Sequence, residues 1–160
     1  MSYSDQDIVR MIQEPKPLPA NYLSLIQLRE KRGHKERELD IDGESGSKFR
    51  IILRQSNFNK LDFSIILAIT PPESNLLFRL RRYNGKSHEH TNQIEANTFY
   101  DFHIHQATER YQDIGGREDG FAEPTDGYVD FLSALRCFFK DCGFVMPKEC
   151  QPTLFEEFDK

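Results

Sequence analysis

The chain has 160 residues and a formal net charge of −5, and 38% of its residues are hydrophobic. This length and composition predict one globular domain over residues 1–146 and an acidic tail over residues 147–160. No apolar run approaches the roughly 20 residues that a membrane span requires, so no membrane partner is expected. The N-terminus has no signal-peptide pattern and the three cysteines have no zinc-knuckle spacing. A cytoplasmic protein with reduced thiols is therefore predicted.

The charges are unevenly distributed along the chain. Residues 48–110 contain nine basic and six acidic side chains, whereas residues 1–47 and 111–160 are both acidic on balance. A basic segment within an acidic protein indicates where a polyanion would bind.

The N-terminal segment has the pattern of a short amphipathic helix. Ser4 is the expected N-cap, and Ile8, Met11 and Ile12 have the spacing of one apolar helix face. Prolines from Pro15 onward end this helix, and a brief second helix is expected over Asn21–Leu28.

From Glu36 onward, apolar and polar residues alternate as they do in β-strands. The five predicted strands are Glu36–Asp42, Lys48–Arg54, Leu61–Thr70, Leu76–Tyr83 and Thr98–Gln106. Short, turn-rich links join the first four, and such links require antiparallel neighbours. The sequence therefore predicts a meander.

Taking every second residue separates two faces of this sheet. The predicted apolar face contains Leu39, Ile41, Phe49, Ile51, Leu53, Leu61, Phe63, Ile65, Leu67, Ile69, Leu76, Phe78, Leu80, Tyr100, Phe102 and Ile104. The predicted polar face contains Lys48, Arg50, Arg54, Ser64, Ile66, Ala68, Arg79, Arg81, Asp101, His103 and His105. Two histidines would then share a face with most of the basic residues, which predicts a binding surface.

The C-terminal part should supply the helix that covers the apolar face. Residues Asp113–Glu123 are rich in glycine and acids and predict a flexible loop. A helix is expected from the cap Thr125 to Cys142, with Gly143 ending it. The predicted fold is thus α+β: an antiparallel sheet of about five strands with the N-terminal and C-terminal helices packed on one face.

Four of the five histidines lie in the segment Arg79–Tyr111, as two His-x-His pairs. The pairs are His88 with His90 and His103 with His105. A His-x-His pair on a strand places two imidazoles on one side, where they can share a cation. Metal binding is therefore one interpretation of the cluster.

Cleavage of RNA by acid/base chemistry is the preferred interpretation, and it requires no metal and no cofactor. The expected acid/base groups are His103 and His105, with His88 and His90 assisting, because imidazole titrates near neutral pH. The expected phosphate-binding and base-stacking residues are Arg79, Arg81, Arg82, Lys48, Arg50, Arg54, Tyr83 and Tyr111.

Two further alternatives remain open at this point. Histidines and arginines on an exposed strand face are often only solvated polar residues. The protein could also be a non-catalytic interaction protein, such as an antitoxin-like or phage-encoded inhibitor, that binds a protein or nucleic-acid partner through the same face. The oligomeric state is not predicted.

The run Arg82-Tyr83-Asn84, followed by His88 and then by Phe102-His103-Ile104-His105, resembles the pattern of small bacterial toxins of the TumE-like group. The chain as a whole also resembles an uncharacterised bacterial family of similar length. The toxin resemblance covers about 25 residues and implies a component of a toxin–antitoxin system, directed at RNA.

Overall fold

The structure is a computed structural model that describes residues 2–148. Within this range no helix has both the length and the apolar character needed to cross a membrane. The predicted acidic tail lies, from residue 149 onward, outside the described residues. The elements, in chain order, are α1 (Asp5–Gln13), β1 (Lys16–Pro17), α2 (Tyr22–Leu25), β2 (Arg29–Lys31), β3 (His34–Asp42), β4 (Lys48–Ser56), β5 (Phe63–Thr70), β6 (Phe78–Asn84), β7 (His90–Asn92), β8 (Asn97–Phe99), β9 (His103–Gln106), α3 (Glu109–Asp113), β10 (Phe121–Pro124), α4 (Phe131–Asp141) and β11 (Phe144–Val145).

The main sheet is antiparallel and has seven strands in the order β10-β9-β6-β5-β4-β3-β2. The α+β prediction is confirmed, but the sheet is larger than the five strands expected. The two edge strands, β2 and β10, were not predicted. Strand β2 is entirely charged, and β10 is short and ends at Pro124, and both features disfavour pairing with another chain.

Helix α1 forms as its sequence predicts. The Ser4 side chain accepts a 3.0 Å hydrogen bond from the backbone N–H of Asp7, which caps the first turn. Ile8, Met11 and Ile12 are buried in the hydrophobic core. The same core includes Leu135 and Phe138 of α4, so both helices pack on the apolar side of the sheet as expected.

Helix α4 begins later than predicted. Asp130, not Thr125, is its N-cap, and the Asp130 carboxylate accepts a 2.8 Å hydrogen bond from the backbone N–H of Ser133. Tyr128 lies before the helix with its side chain buried in the core, and its hydroxyl donates to the carbonyl oxygens of Asn84 and His103, which holds this segment outside the helix. The predicted stop at Gly143 is confirmed, because this glycine has a φ of +76°.

A buried lysine joins the C-terminal ends of α1 and α4. The side chain of Lys16 is fully buried, and its ammonium lies 2.8–2.9 Å from the carbonyl oxygens of Met11, Ile12, Glu14 and Cys142. The last carbonyls of a helix have no partner within the helix, so a cation is favourable there. Next to this contact, β1 pairs in parallel with β11.

A β-bulge changes the predicted faces on β6. Leu67 pairs with Arg81 and Ala68 pairs with Arg79, so Leu80 is an extra residue in β6. Arg79 and Arg82 consequently lie on the face that carries the β9 histidines. Arg81 lies on the opposite, helix-covered face, which makes its predicted position wrong. Alternation on a strand cannot reveal such an insertion.

Three residues assigned to the apolar face are exposed. Leu76, Tyr100 and Leu61 are 79%, 50% and 38% exposed. All three lie outside the ends of the strands, in connections where the two-residue period no longer applies. Segment Thr98–Gln106 is not one strand, because a break after Phe99 separates β8 from β9.

The histidine face is covered where the sequence predicted an open surface. Hairpin β7–β8 folds over β9 and brings Phe99 and His90 against the ring of His103. The segment expected to be a flexible acidic loop contains the first three residues of β10 and the fully buried Asp119. As a result, His103 and His105 are 0% and 3% exposed.

Candidate metal centre

Three histidines from two elements form a compact triangle. His103 and His105 point to the same side of β9 because side chains alternate along a strand, and His90 approaches from the overlying β7. The ring centroids lie 5.0 Å apart for His103 and His105, 5.4 Å for His90 and His103, and 4.8 Å for His90 and His105. One ring nitrogen from each residue lies within 4.8 Å of the other two.

Backbone carbonyls fix the tautomers of the two buried histidines. The Nδ1 atom of His103 lies 2.8 Å from the carbonyl oxygen of Asp101, and Nδ1 of His105 lies 2.8 Å from that of Asp119. A carbonyl oxygen only accepts, so each Nδ1 carries the proton and donates it. The lone pair of each ring therefore resides on Nε2.

A buried asparagine fixes the third histidine. Oδ1 of Asn92 accepts a 2.9 Å hydrogen bond from the N–H of Ala122, and Nδ2 donates a 2.8 Å bond to the carbonyl of Ala122. This pair of contacts defines which end of the amide is oxygen. His90 Nε2, 2.8 Å from that oxygen, must therefore donate, and Nδ1 of His90 carries the lone pair.

The buried histidines are neutral at physiological pH. Burial lowers the pKa of His103 to about 4, and the nearby His90, His88 and Arg82 contribute in the same direction. Burial, then Arg82 and the other histidines, lowers the pKa of His105 to about 2. A metal ion binds only the unprotonated imidazole, so these rings are ready ligands without the loss of a proton.

The triangle matches the dimensions of a three-histidine metal site. With metal–nitrogen distances of about 2.1 Å and tetrahedral angles, ring centroids would be roughly 5 Å apart. The observed centroid separations of 4.8–5.4 Å agree with this spacing. Hydrogen bonds that hold the second ring nitrogen of each ligand are a general feature of histidine metal sites. Three protein ligands leave a fourth position open to water or substrate.

A pocket of about 340 Å³ adjoins the triangle. It is lined by Arg54, Asp62, Phe63, Ser64, Arg82, Asn84, Gly85, Ser87, His88, His90, His105, Arg117 and Gly120. His88 is exposed, with its ring centroid 6.2 Å from that of His103 and its Nδ1 atom 3.1 Å from the hydroxyl of Ser87. The two His-x-His pairs of the sequence thus meet at one site.

Asn84 presents an unpaired polar atom at the same place. Its side chain is 5% exposed, and among the described residues Oδ1 has no hydrogen-bond partner. The Nδ2 atom lies 3.4 Å from Nε2 of His103. A buried amide oxygen without a hydrogen-bond partner lowers the stability of the fold, so its presence indicates that Oδ1 accepts a hydrogen bond from a bound water or ligand.

Arginines surround a single buried carboxylate next to the histidines. The carboxylate of Asp119 lies 3.2 Å from Nε of Arg82, 3.4 Å from Nε of Arg117 and 3.6 Å from Nε of Arg79. Arg79 also pairs with Glu118 at 3.3 Å. The backbone carbonyl of Asp119 thus orients His105, and its carboxylate holds the guanidinium groups of Arg79, Arg82 and Arg117 together.

The other residues predicted to bind nucleic acid are dispersed. Of the residues on β4, Arg54 lines the pocket, but Lys48 and Arg50 pair with acids of β3 outside it. Tyr83 is buried and its hydroxyl donates to Asp141 at 2.7 Å. Tyr111 is also buried, with its hydroxyl on Glu95. Neither tyrosine offers a ring face to a base, which corrects the stacking role expected for them.

Asn92, Asp119 and Arg117 are the site residues that sequence reasoning missed. All three come from segments without hydrophobic periodicity, so no pattern placed them near the histidines. No family model, no curated protein and no solved structure matches the chain. The geometry and chemistry of the pocket are therefore the basis for a functional proposal.

Proposed function

We propose that this protein binds a divalent transition-metal ion, in the first instance Zn²⁺, through Nδ1 of His90 and Nε2 of His103 and His105. The observation that carries the proposal is that one ring nitrogen from each of the three histidines lies within 4.8 Å of the other two, while a hydrogen bond on each ring sets its tautomer. Three independent hydrogen bonds thus each leave one ring nitrogen unprotonated and able to bind a metal ion. Imidazole ligands suit zinc, iron, copper and nickel, and three of them with an open position are typical of catalytic zinc.

The chemistry that such an ion supplies is the activation of water. A bound zinc ion lowers the pKa of its water to about 7, which provides a nucleophile at neutral pH. Asn84 Oδ1 would accept a hydrogen bond from this water, a role supported by its missing partner among the described residues and by the 3.4 Å between Nδ2 of the same amide and Nε2 of His103. His88, exposed at the pocket and 6.2 Å from His103 between ring centroids, is in place to exchange protons with solvent. We therefore propose a hydrolytic activity.

Titration with Co²⁺ tests the metal site. Protein stripped with a chelator should bind one Co²⁺ and develop the intense visible absorption of a four-coordinate ion, which Zn²⁺ then removes. His90→Gln should weaken binding at least about 100-fold, since it removes one of three ligands. His90 is the best position for this test. Its side chain is half-buried in a hairpin, so the substitution carries a small risk of unfolding the protein. His34→Gln, at the start of β3, is the matched control and should bind as the wild type does.

RNA cleavage, the function predicted from the sequence, is the second candidate. The observation in its favour is that Arg54, Arg82 and Arg117 line the same pocket as the histidines. Cleavage without a metal needs an imidazolium that donates a proton, and burial disfavours this form in His103 and His105. The exposed His88 would then have to be the acid.

Incubation with total RNA, with and without a chelator, separates these functions. Cleavage that the chelator abolishes would show that RNA is cleaved with the help of the bound metal ion. Cleavage that survives chelation but is lost in His88→Gln and His103→Ala would support the metal-free mechanism. Intact RNA in every sample, together with one bound metal ion, would exclude RNA as the substrate and retain the metal site. Intact RNA without metal binding would leave the non-catalytic interaction protein as the remaining interpretation.

A further inference from the structure

We propose that the pocket beside the three-histidine centre binds the phosphoryl group of a phosphate ester. This inference rests on the proposed function, because the full affinity of the pocket for a phosphoryl group includes a contact with the metal ion. The arginines contribute to the affinity independently of the metal. The pocket is lined by His90 and His105 together with Arg54, Arg82 and Arg117. Substrate bound there would contact the ion and the guanidinium groups at once.

The arginines exceed the carboxylates that face them. Arg79, Arg82 and Arg117 share the carboxylate of Asp119, and within residues 2–148 only Arg79 has a second acid, Glu118. The Arg117 side chain is 53% exposed, so its donors can reach a ligand. Positive charge is thus left over at the pocket wall, and it favours an anion.

Arg54, on β4, adds a further cation to the lining of the pocket. Its side chain is 44% exposed and its nearest acid, Asp62, is 4.0 Å away, at the limit of an ion pair. Such a loose pair is worth little in water and is easily exchanged for a ligand. Guanidinium groups bind phosphoryl oxygens through two parallel hydrogen bonds, a geometry that a planar fork favours.

The ligand set of the metal also favours an anion. Three imidazoles are neutral and leave the full charge of a divalent ion uncompensated, and the carboxylate of Asp119 is engaged by arginines. A tetrahedral oxyanion in the fourth position would satisfy both the ion and the arginines. The volume of about 340 Å³ is at the low end of small-molecule pockets, so the phosphoryl group enters with little of the molecule attached to it.

Calorimetric titration with inorganic phosphate tests this proposal. Zinc-loaded protein should bind one phosphate, and Arg117→Gln and Arg54→Gln should each weaken the affinity about tenfold, the loss of one charged hydrogen bond. Arg10→Gln, an equal charge change on the exposed side of α1, should leave the affinity unchanged. Equal phosphate affinity in all four proteins, or no binding to the zinc-loaded protein, would overturn the proposal.

The same titration on metal-free protein separates this inference from the metal site. If the protein binds no zinc, arginine-dependent phosphate binding would still support the pocket, and its absence would overturn it. Competition then identifies the source of the phosphoryl group. Stronger displacement of phosphate by an RNA oligonucleotide than by p-nitrophenyl phosphate indicates a polynucleotide, and the reverse order indicates a small ester. Failure of both to displace it would contradict a phosphate ester as the ligand.

Discussion

The carbonyl oxygen of Asp119 accepts a 2.8 Å hydrogen bond from Nδ1 of His105, although the two residues are 14 positions apart and the carboxylate of Asp119 points to the arginines. One residue therefore serves both the metal ligand and the anion pocket. The segment that carries it is not a passive cover but a structural part of the site.

The first prediction concerns the charge of Asp119. Asp119→Asn keeps the shape of the side chain but leaves Arg79, Arg82 and Arg117 without the carboxylate that they share. Breaking a buried ion pair from one side typically lowers stability by about 3 kcal/mol, and we expect a loss of this size in urea unfolding. Asp113→Asn, at an exposed position on α3, is the control and should change stability by less than about 0.5 kcal/mol. Equal stability of both variants would contradict the prediction.

The second prediction separates the two functions of Asn92. Asn92→Ala removes the acceptor that holds His90 and should weaken zinc binding by about tenfold to 100-fold, measured by competition with a chromophoric chelator. Asn92→Asp retains an oxygen for Nε2–H of His90 and for the N–H of Ala122, so its zinc affinity should stay close to that of the wild type. If both variants lose affinity equally, the loss comes from the hydrogen bonds of Asn92 Nδ2 to the carbonyl of Ala122 and to Oδ1 of Asn97, and not from the orientation of His90.

The third prediction is a loss of stability of the metal-free protein in mild acid. The pKa values of His103 and His105 in the folded protein, about 4 and about 2, lie below the ordinary value of 6.5. As the pH falls below 6.5 the unfolded chain takes up protons that the folded protein does not, so the contribution to stability is complete above pH 6.5 and declines below it. Between pH 7 and pH 5 this amounts to about 2 kcal/mol for each histidine.

Urea unfolding at both pH values, with a chelator present, measures this effect. His105→Gln removes one of the two groups and should reduce the pH dependence by about half. A stability that does not change between pH 7 and pH 5 would show that the two rings are not buried as described.

The fourth prediction concerns Lys16. Lys16→Met preserves most of the side-chain volume but leaves four carbonyl oxygens without their donor, and we expect the free energy of unfolding to fall by about 3 kcal/mol. Lys140→Met, at an exposed position on α4, should have little effect. Zinc affinity should be unchanged in both variants because Lys16 is on the helix side of the sheet. A reduced zinc affinity in Lys16→Met would show that the two faces of the sheet are coupled.

The central strands and α1 were predictable because each follows one periodic pattern. The alternation from Phe49 to Leu53 and from Phe63 to Ile69 places the same side chains in the core as the structure does, and Ser4 caps α1 as expected. The pattern failed at Leu80, where one inserted residue exchanged the faces of Arg81 and Arg82. An insertion within a strand leaves no local signal, because apolar and charged residues still follow one another.

The site was predictable only in part. The spacing of His103 and His105 correctly placed both on one side of a strand. Their burial depends on residues 90–99, a polar hairpin with no hydrophobic alternation and with Ala96 at a φ of +60°. The tautomers depend on contacts with Asp101, Asp119 and Asn92 that only the folded chain defines. Long-range packing thus changed the chemistry inferred for the same histidines.

The hydrogen bonds of the buried Lys16 also have a consequence for how the chain folds during synthesis. Its contact with the carbonyl of Cys142 joins residues 126 positions apart, and β1 pairs with Phe144 and Val145. Helix α1, although translated first, cannot complete its docking until residues 142–145 have left the ribosome. Until then its apolar stripe of Ile8, Met11 and Ile12 stays accessible, and the nascent chain offers chaperones a binding segment at its leading end.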